Sequence, residues 1–371
     1  MTKSKLKISI TFLFTIIFSL LFVPTVFASE LSNDINDTNN LPYEFPITPD
    51  DIKWKSFETK EEMLAVCQIP EDILKNMTTE ALLQTVLSYP FISDYYAFNS
   101  YKDAAKTFEN DFNGFKELFN RSDLTTVLLN TYENSTYNGI SAQSQNNSYK
   151  SEFFFISNLE FLFAYDQLTN GDYSQTEAEK FDKLFMEKKK ERANINELSE
   201  NSEIYSNFMA QESPIQPYGI TYYTIYTPKG SSVSVMNISP DLTTAEKTEL
   251  NNYFDKAYPN ATRKASATKN YNCHSYAWYS QSTNNTYWMN DPSKYMSDGS
   301  YKLHTDLRPR VGFKAYYYNG NHTAVVQEIK MVDGSQTFWY QSKWGQAGLY
   351  YHTLYYSPYA TGVDHYYKSA S

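Results

Sequence analysis

"NGNHTAVVQEIKMVDGSQTFWYQSKWG", residues 319 to 345, decides the fold class of the C-terminal half. Two runs of alternating apolar character flank Asp333-Gly334, a dipeptide suited to a two-residue turn in which both central residues take positive φ. The stretch is predicted to be an antiparallel hairpin. With Asp333 and Gly334 central, ideal register sets His322 opposite Gly345, Ala324 opposite Lys343 and Val326 opposite Gln341. Alternation then puts His322, Gln341 and Lys343 on one face and turns Ser342 away.

Upstream of the hairpin stands "YNCHSYAW", residues 271 to 278. Asn272 is a good helix cap and places Cys273 in a first turn. A thiol attacks only as thiolate, which positive potential favours, and a helix N-terminus supplies such potential. The same N–H groups would hold an oxyanion. Cys273, Tyr276, Ala277 and Ser280 fall on one helix face, and His274 points off it. His322, at the start of the first hairpin strand, is the candidate base. A polar residue on the facing strand would hold its ring, as triad logic requires. Gln341 can accept the imidazole N–H and Lys343 cannot, although Gln341 lies about 13 Å along the strand in ideal register.

All five histidines and four of the five tryptophans fall from His274 onward, so the chemistry is expected there. Other readings of Cys273 are a buried inert thiol, a bridge to Cys67, or a zinc site with His322 and His352. No short paired ligand spacing supports zinc. Asp291 and Asp298 lack the order of a calcium loop. Cys67, in "MLAVCQIP", reads as packed core.

The rest of the chain is organised around this half. "ITYYTIYTPKGSSVSVM" (220–236) alternates around a turn and predicts a second hairpin, and Thr243 with Glu246 has capping-box spacing for a helix. "QESPIQP" (211–217) is the expected linker, its two prolines breaking helix and sheet alike. Residues 51–210 are expected to form a helical domain. "TTEALLQTVLSYP" (78–90) is capped by threonine and stopped by proline, and Phe108, Phe112, Phe115 and Phe119 form one apolar stripe. Residues 29–50 read as a flexible leader. Residues 1–28 read as a signal peptide: Lys3, Lys5 and Lys7, an apolar run too short to span a membrane, and cleavage after Ala28. The expectation is a secreted protein with no membrane association once cleaved. Losing those lysines takes the net charge from −10 to about −13, which argues against nucleic acid as a partner.

The Cys273 helix start, His322 in "NHTAVV" and "QSKW" on the next strand together resemble the CHAP and NlpC-type papain-like cysteine amidohydrolases. The resemblance covers residues 270–348. It implies an α+β architecture in which a papain-like domain, residues 218–371, follows the helical one, with a Cys-bearing helix packed on an antiparallel sheet. It further implies that Cys273 is nucleophile, His322 base and Gln341 the orienting residue, with Trp344 matching a tryptophan common at that place. Asn321 stands where the family usually has glycine, and Gln341 where it often has glutamate. Asn272, His274, Trp278, Trp288, Lys343 and Trp344 are the expected groove or support residues, with no cofactor and no metal. The implied substrate is an amide in peptidoglycan or protein; acyl transfer of the transglutaminase type uses the same pair. The alternative is a non-enzymatic binding protein with an aromatic recognition surface.

Overall fold

A computed structural model describes residues 39–137, 154–170, 174–194, 219–306, 308–359 and 362–370. The expected signal peptide and linker lie outside the described residues, as do residues 29–38 of the expected leader. The architecture is α+β, with an N-terminal helical region and a C-terminal antiparallel sheet region. Among the described residues no helix is long and apolar enough to cross a membrane.

The helical region runs α1 (Lys60–Ala65), α2 (Glu71–Asn76), α3 (Thr79–Leu87), α4 (Tyr101–Asp111), α5 (Asn113–Leu118), α6 (Leu124–Asn134), α7 (Phe155–Asn170) and α8 (Gln175–Ala193). Side-chain oxygens satisfy N-terminal N–H groups that helices leave unpaired: Thr78 accepts from Ala81, and Thr59 and Ser174 close capping boxes. The phenylalanine stripe is shared by two helices, because Phe112 is extended between α4 and α5. All four rings are buried nonetheless.

In the C-terminal region β1 (Ile220–Tyr226) and β2 (Ser232–Ile238) form the second hairpin, and α9 (Thr244–Ala257) follows with its Thr243–Glu246 capping box. The main sheet comprises β3 (Thr262–Ala265), β4 (Tyr301–His304), β5 (Lys314–Tyr317), β6 (Thr323–Val332), β7 (Ser335–Lys343), β8 (Leu349–Thr353) and β9 (Val363–Ser369). Its seven strands lie in the order β3-β8-β7-β6-β5-β9-β4, with every pairing antiparallel.

The β6–β7 turn forms at Asp333 (φ 49°) and Gly334 (φ 79°), as predicted. The expected register holds from Val332↔Ser335 as far as Glu328↔Trp339, then shifts by one at a bulge: Val326 faces Tyr340 and Val325 faces Gln341. A one-residue slip moves side chains to the other face. Ala324, Val326, Tyr340 and Trp344 therefore face the large core, whereas Val325 belongs to a smaller cluster with Tyr276, Ala277 and Trp278. The expected common face for His322, Gln341 and Lys343 does not form. Gln341 sits opposite Val325, on the side of the Cys273 helix, and Ser342 turns toward the large core.

That large core takes residues from the helices and from the sheet alike, and residues 39–371 form one compact unit. Trp54, wholly buried ahead of α1, donates its indole N–H to the Ala257 carbonyl at 2.9 Å. Two buried ion pairs also join sequence-distant elements. Arg192 meets Glu246 at 2.8 Å, and Lys60 meets Asp94 at 2.6 Å.

One carboxylate in this region is held at a cost. Asp111 has an oxygen without a hydrogen-bond partner, and burial pushes its pKa up to about 6. A raised carboxyl favours folding most below its unfolded pKa, and that contribution disappears as pH rises through about 6. Asp111→Asn is therefore expected to stabilise the protein at pH 8 by about 2 kcal/mol and to change little at pH 4. Urea midpoints at the two pH values measure the difference, and equal shifts at both would refute the assignment.

Candidate active site

Asn272 accepts the Ser275 N–H at 3.1 Å through its side-chain oxygen and so caps the helix opened by Cys273. The helix is short and widens to π-type over Ser275–Tyr279, with the Ser280 N–H reaching the Ser275 carbonyl at 3.0 Å. Its Tyr276 and Ala277 face is buried in the smaller cluster and is covered by the sheet.

The amide orientations around Cys273 follow from hydrogen-bond bookkeeping. Asn272 Oδ1 accepts from the backbone N–H groups of Ser275 and Met289, each at 3.1 Å. Its Nδ2 must then donate, and it does so to the Met289 carbonyl at 2.7 Å and to Asn99 Oδ1 at 3.0 Å. Asn99 thereby has its oxygen occupied and turns its own Nδ2 to the Cys273 sulfur at 3.3 Å, with the Asn321 carbonyl at 3.5 Å. A donor fixed on sulfur favours the thiolate.

The electrostatics act in the same direction. Burial alone would raise the Cys273 pKa, but the neighbouring His274 and His322 imidazoles outweigh it and hold the thiol well below its ordinary value. Cys67 is the contrast: burial pushes it up to about 12. Both cysteines are buried free thiols, so no bridge joins them.

The two neighbouring histidines are held differently. His274 is engaged at both nitrogens, Nδ1 with the Thr323 hydroxyl at 2.8 Å and Nε2 with the Gly320 carbonyl at 3.1 Å. A carbonyl only accepts, so Nε2 carries a proton. His322 has neither nitrogen in a hydrogen bond of good geometry, although its ring stands close enough to Cys273 for each to shift the other's titration. Burial lowers the His322 pKa, and the Cys273 thiolate partly offsets this. Of the two, His322 is the one with a nitrogen free to take a proton. Its ring stacks on Tyr359 and meets the edge of Tyr317.

Gln341 does not orient His322. Its Nε2 donates to the Tyr276 hydroxyl at 2.7 Å, on the face to which the bulge carries it. Lys343 serves another purpose. Its ammonium donates to the carbonyls of Thr268 (3.0 Å), Gly345 (2.6 Å) and Ala347 (2.5 Å), tying the end of β7 to the segment that leads into Cys273. Burial drives its pKa down to about 7, whereas three carbonyl acceptors favour the protonated form, which alone has three N–H donors.

Trp278, Trp288 and Trp344 are packed into the interior. Trp278 is buried and donates to Thr323 at 3.1 Å. Trp288 is buried where its backbone pairs with Met236. Trp344 stacks on Tyr350 at 4.1 Å and donates to Ser342, whose hydroxyl in turn meets His352 at 2.8 Å. The other His352 nitrogen faces the Thr353 carbonyl at 2.8 Å, so neither is free for a metal.

Asn99 and Tyr359 were missed by sequence reasoning. Asn99 sits one residue before the helix cap Ser100, and no local pattern distinguishes it. Comparison of the chain with protein-family models, with curated proteins and with solved structures finds no match in any of the three.

Proposed function

We propose that this chain is a secreted cysteine amidohydrolase or peptidase, with its C-terminal region built in the papain-like manner. The observation that carries the reading is the grouping of a lowered thiol, an imidazole with unbonded nitrogens and an amide N–H fixed on the sulfur. The Cys273 thiolate attacks the carbonyl carbon of an amide, forming a C–S bond and moving the π electrons to oxygen. The Asn99 N–H, which lies beside the sulfur, is the donor proposed to meet that oxyanion. Collapse breaks the C–N bond, and His322 passes the thiol's proton to the leaving amine. His322 then takes a proton from the water that opens the thioester, and returns it to sulfur. Both Cys273 and His322 are wholly buried, so entry of substrate requires movement of the chain that covers them. A peptide amide, in peptidoglycan or protein, is the substrate class proposed.

A small activated ester such as p-nitrophenyl acetate tests the chemistry without knowledge of the substrate. At pH 7, acid quenching and mass spectrometry should find one acetyl group on the peptide containing Cys273 and none on Cys67. Cys67 has a thiolate fraction of only about 10⁻⁵ at that pH. Acetylation of Cys273 no faster than that of Cys67 would overturn the reading.

A further inference from the structure

The inference drawn here rests on the proposed cysteine–histidine reading and concerns what holds the base in place. His322 is wholly buried, yet neither nitrogen has a hydrogen bond of good geometry. The groups that perturb its charge are Cys273 and His274, and no carboxylate is among them. The polar residue expected to orient it, Gln341, is bonded to Tyr276. Two aromatic rings fill the vacant role. Tyr359 lies parallel to the imidazole, with centroids 3.6 Å apart and planes 16° from each other. Tyr317 meets it edge-on at 4.8 Å and 82°.

We propose that Tyr359 is the positioning residue of this site: its ring fixes the plane of His322 by stacking and stabilises the imidazolium across its π face, the task that a polar side chain performs in a triad. A cation over an aromatic face is attracted by the ring quadrupole, and more strongly where water is excluded. Tyr359 is itself fixed. Its hydroxyl donates to the Ala97 carbonyl, and its ring packs on Phe98 at 5.2 Å and Tyr317 at 6.1 Å. Ala97 lies two residues before Asn99, so one hydroxyl ties the support of the base to the strand of chain that carries the sulfur's amide donor. Ordinary core packing explains a stack of two rings, but not why a polar ring would be buried there with both nitrogens unbonded. Such burial costs free energy and persists where function requires it.

The test compares Tyr359→Phe and Tyr359→Leu with the unmodified full-length protein. The readouts are the far-ultraviolet thiolate absorbance of Cys273 against pH, with Cys273→Ala as blank, and the rate of acetylation by p-nitrophenyl acetate. Tyr359→Phe keeps the ring and is expected to stay within about threefold in both. Tyr359→Leu is expected to lower the thiolate population about tenfold on the acid side of the transition, the size of a desolvated cation–π contact. It should slow acylation by a similar factor without raising the ester concentration needed for half-saturation. A leucine variant with the original pH profile and rate would overturn the proposal. Should that variant not fold, Tyr359→Trp decides the matter. Its larger π face must leave the thiolate population equal or higher, and a tenfold loss would overturn the assignment. Failure of acylation in the unmodified protein would count against the hydrolase reading alone, since the thiolate titration still measures the stacking effect.

Discussion

His322→Ala is expected to slow acylation of Cys273 by about 10²- to 10⁴-fold, the usual worth of a positioned acid–base group. Two losses combine in this variant. The proton acceptor is removed, and so is one of the two imidazoles that hold the thiol below its ordinary pKa. Acid pH should deepen the defect, because the thiolate population then depends most on the missing charge. Gln341→Ala is the informative companion. The family pattern would have Gln341 orient the imidazole, and its loss would then be severe. The β6–β7 bulge instead leaves its amide on the Tyr276 hydroxyl, so this variant is expected to acylate within about threefold of the original. Rates of ester acetylation measured on both variants separate the cases. Equal, severe losses would show that Gln341 and His322 meet during turnover and would discard the register argument.

Lys60→Met is expected to destabilise the fold by about 3–5 kcal/mol, a large part of the stability of an ordinary domain. Lys60 and Asp94 are almost completely buried, with 2% and 0% side-chain exposure, and lie 2.6 Å apart. The ammonium also reaches the Tyr258 hydroxyl at 2.7 Å and the Pro358 carbonyl at 3.5 Å. Tyr258 and Tyr253 both donate to Asp94. Removing the lysine leaves a carboxylate in a dry core, where burial already raises its pKa. The sign with pH follows: a carboxyl pushed further up gives its contribution at low pH and loses it as pH rises, so the defect should shrink at pH 5 and grow at pH 8. Adding Asp94→Asn should recover most of the loss by removing the stranded charge. Urea titrations of the three proteins at both pH values supply the numbers. A single-variant cost below about 1 kcal/mol would mean that water reaches the pair. The position of this pair carries consequences for the site as well. Asp94 lies five residues before Asn99, and Pro358 immediately precedes Tyr359, so the same ammonium braces the chain on both sides of the Cys273–His322 pair.

What the amino-acid sequence determined by itself is local. Turn chemistry at Asp333-Gly334 set the hairpin, since few residues tolerate positive φ in succession. Side-chain caps at Thr78, Ser174 and Thr243 set helix starts because their partners lie within three residues. The proposed pair, Cys273 and His322, could be singled out because thiol and imidazole are few in this chain and their chemistry is distinctive. Tertiary structure alone decided which groups surround that pair. A bulge near Val326 is a matter of packing on two faces, and it set Gln341 on a tyrosine and not on His322. Asn99 meets the sulfur across 174 residues of chain, a contact that no periodicity encodes and that chain closure through a shared core brings about. Tyr359 is one of 34 tyrosines, and only the stacking of its ring on His322 sets it apart. The physical reason is common to all three: short-range signals reside in backbone dihedrals and neighbouring side chains, whereas the environment of a buried group is a property of the assembled core.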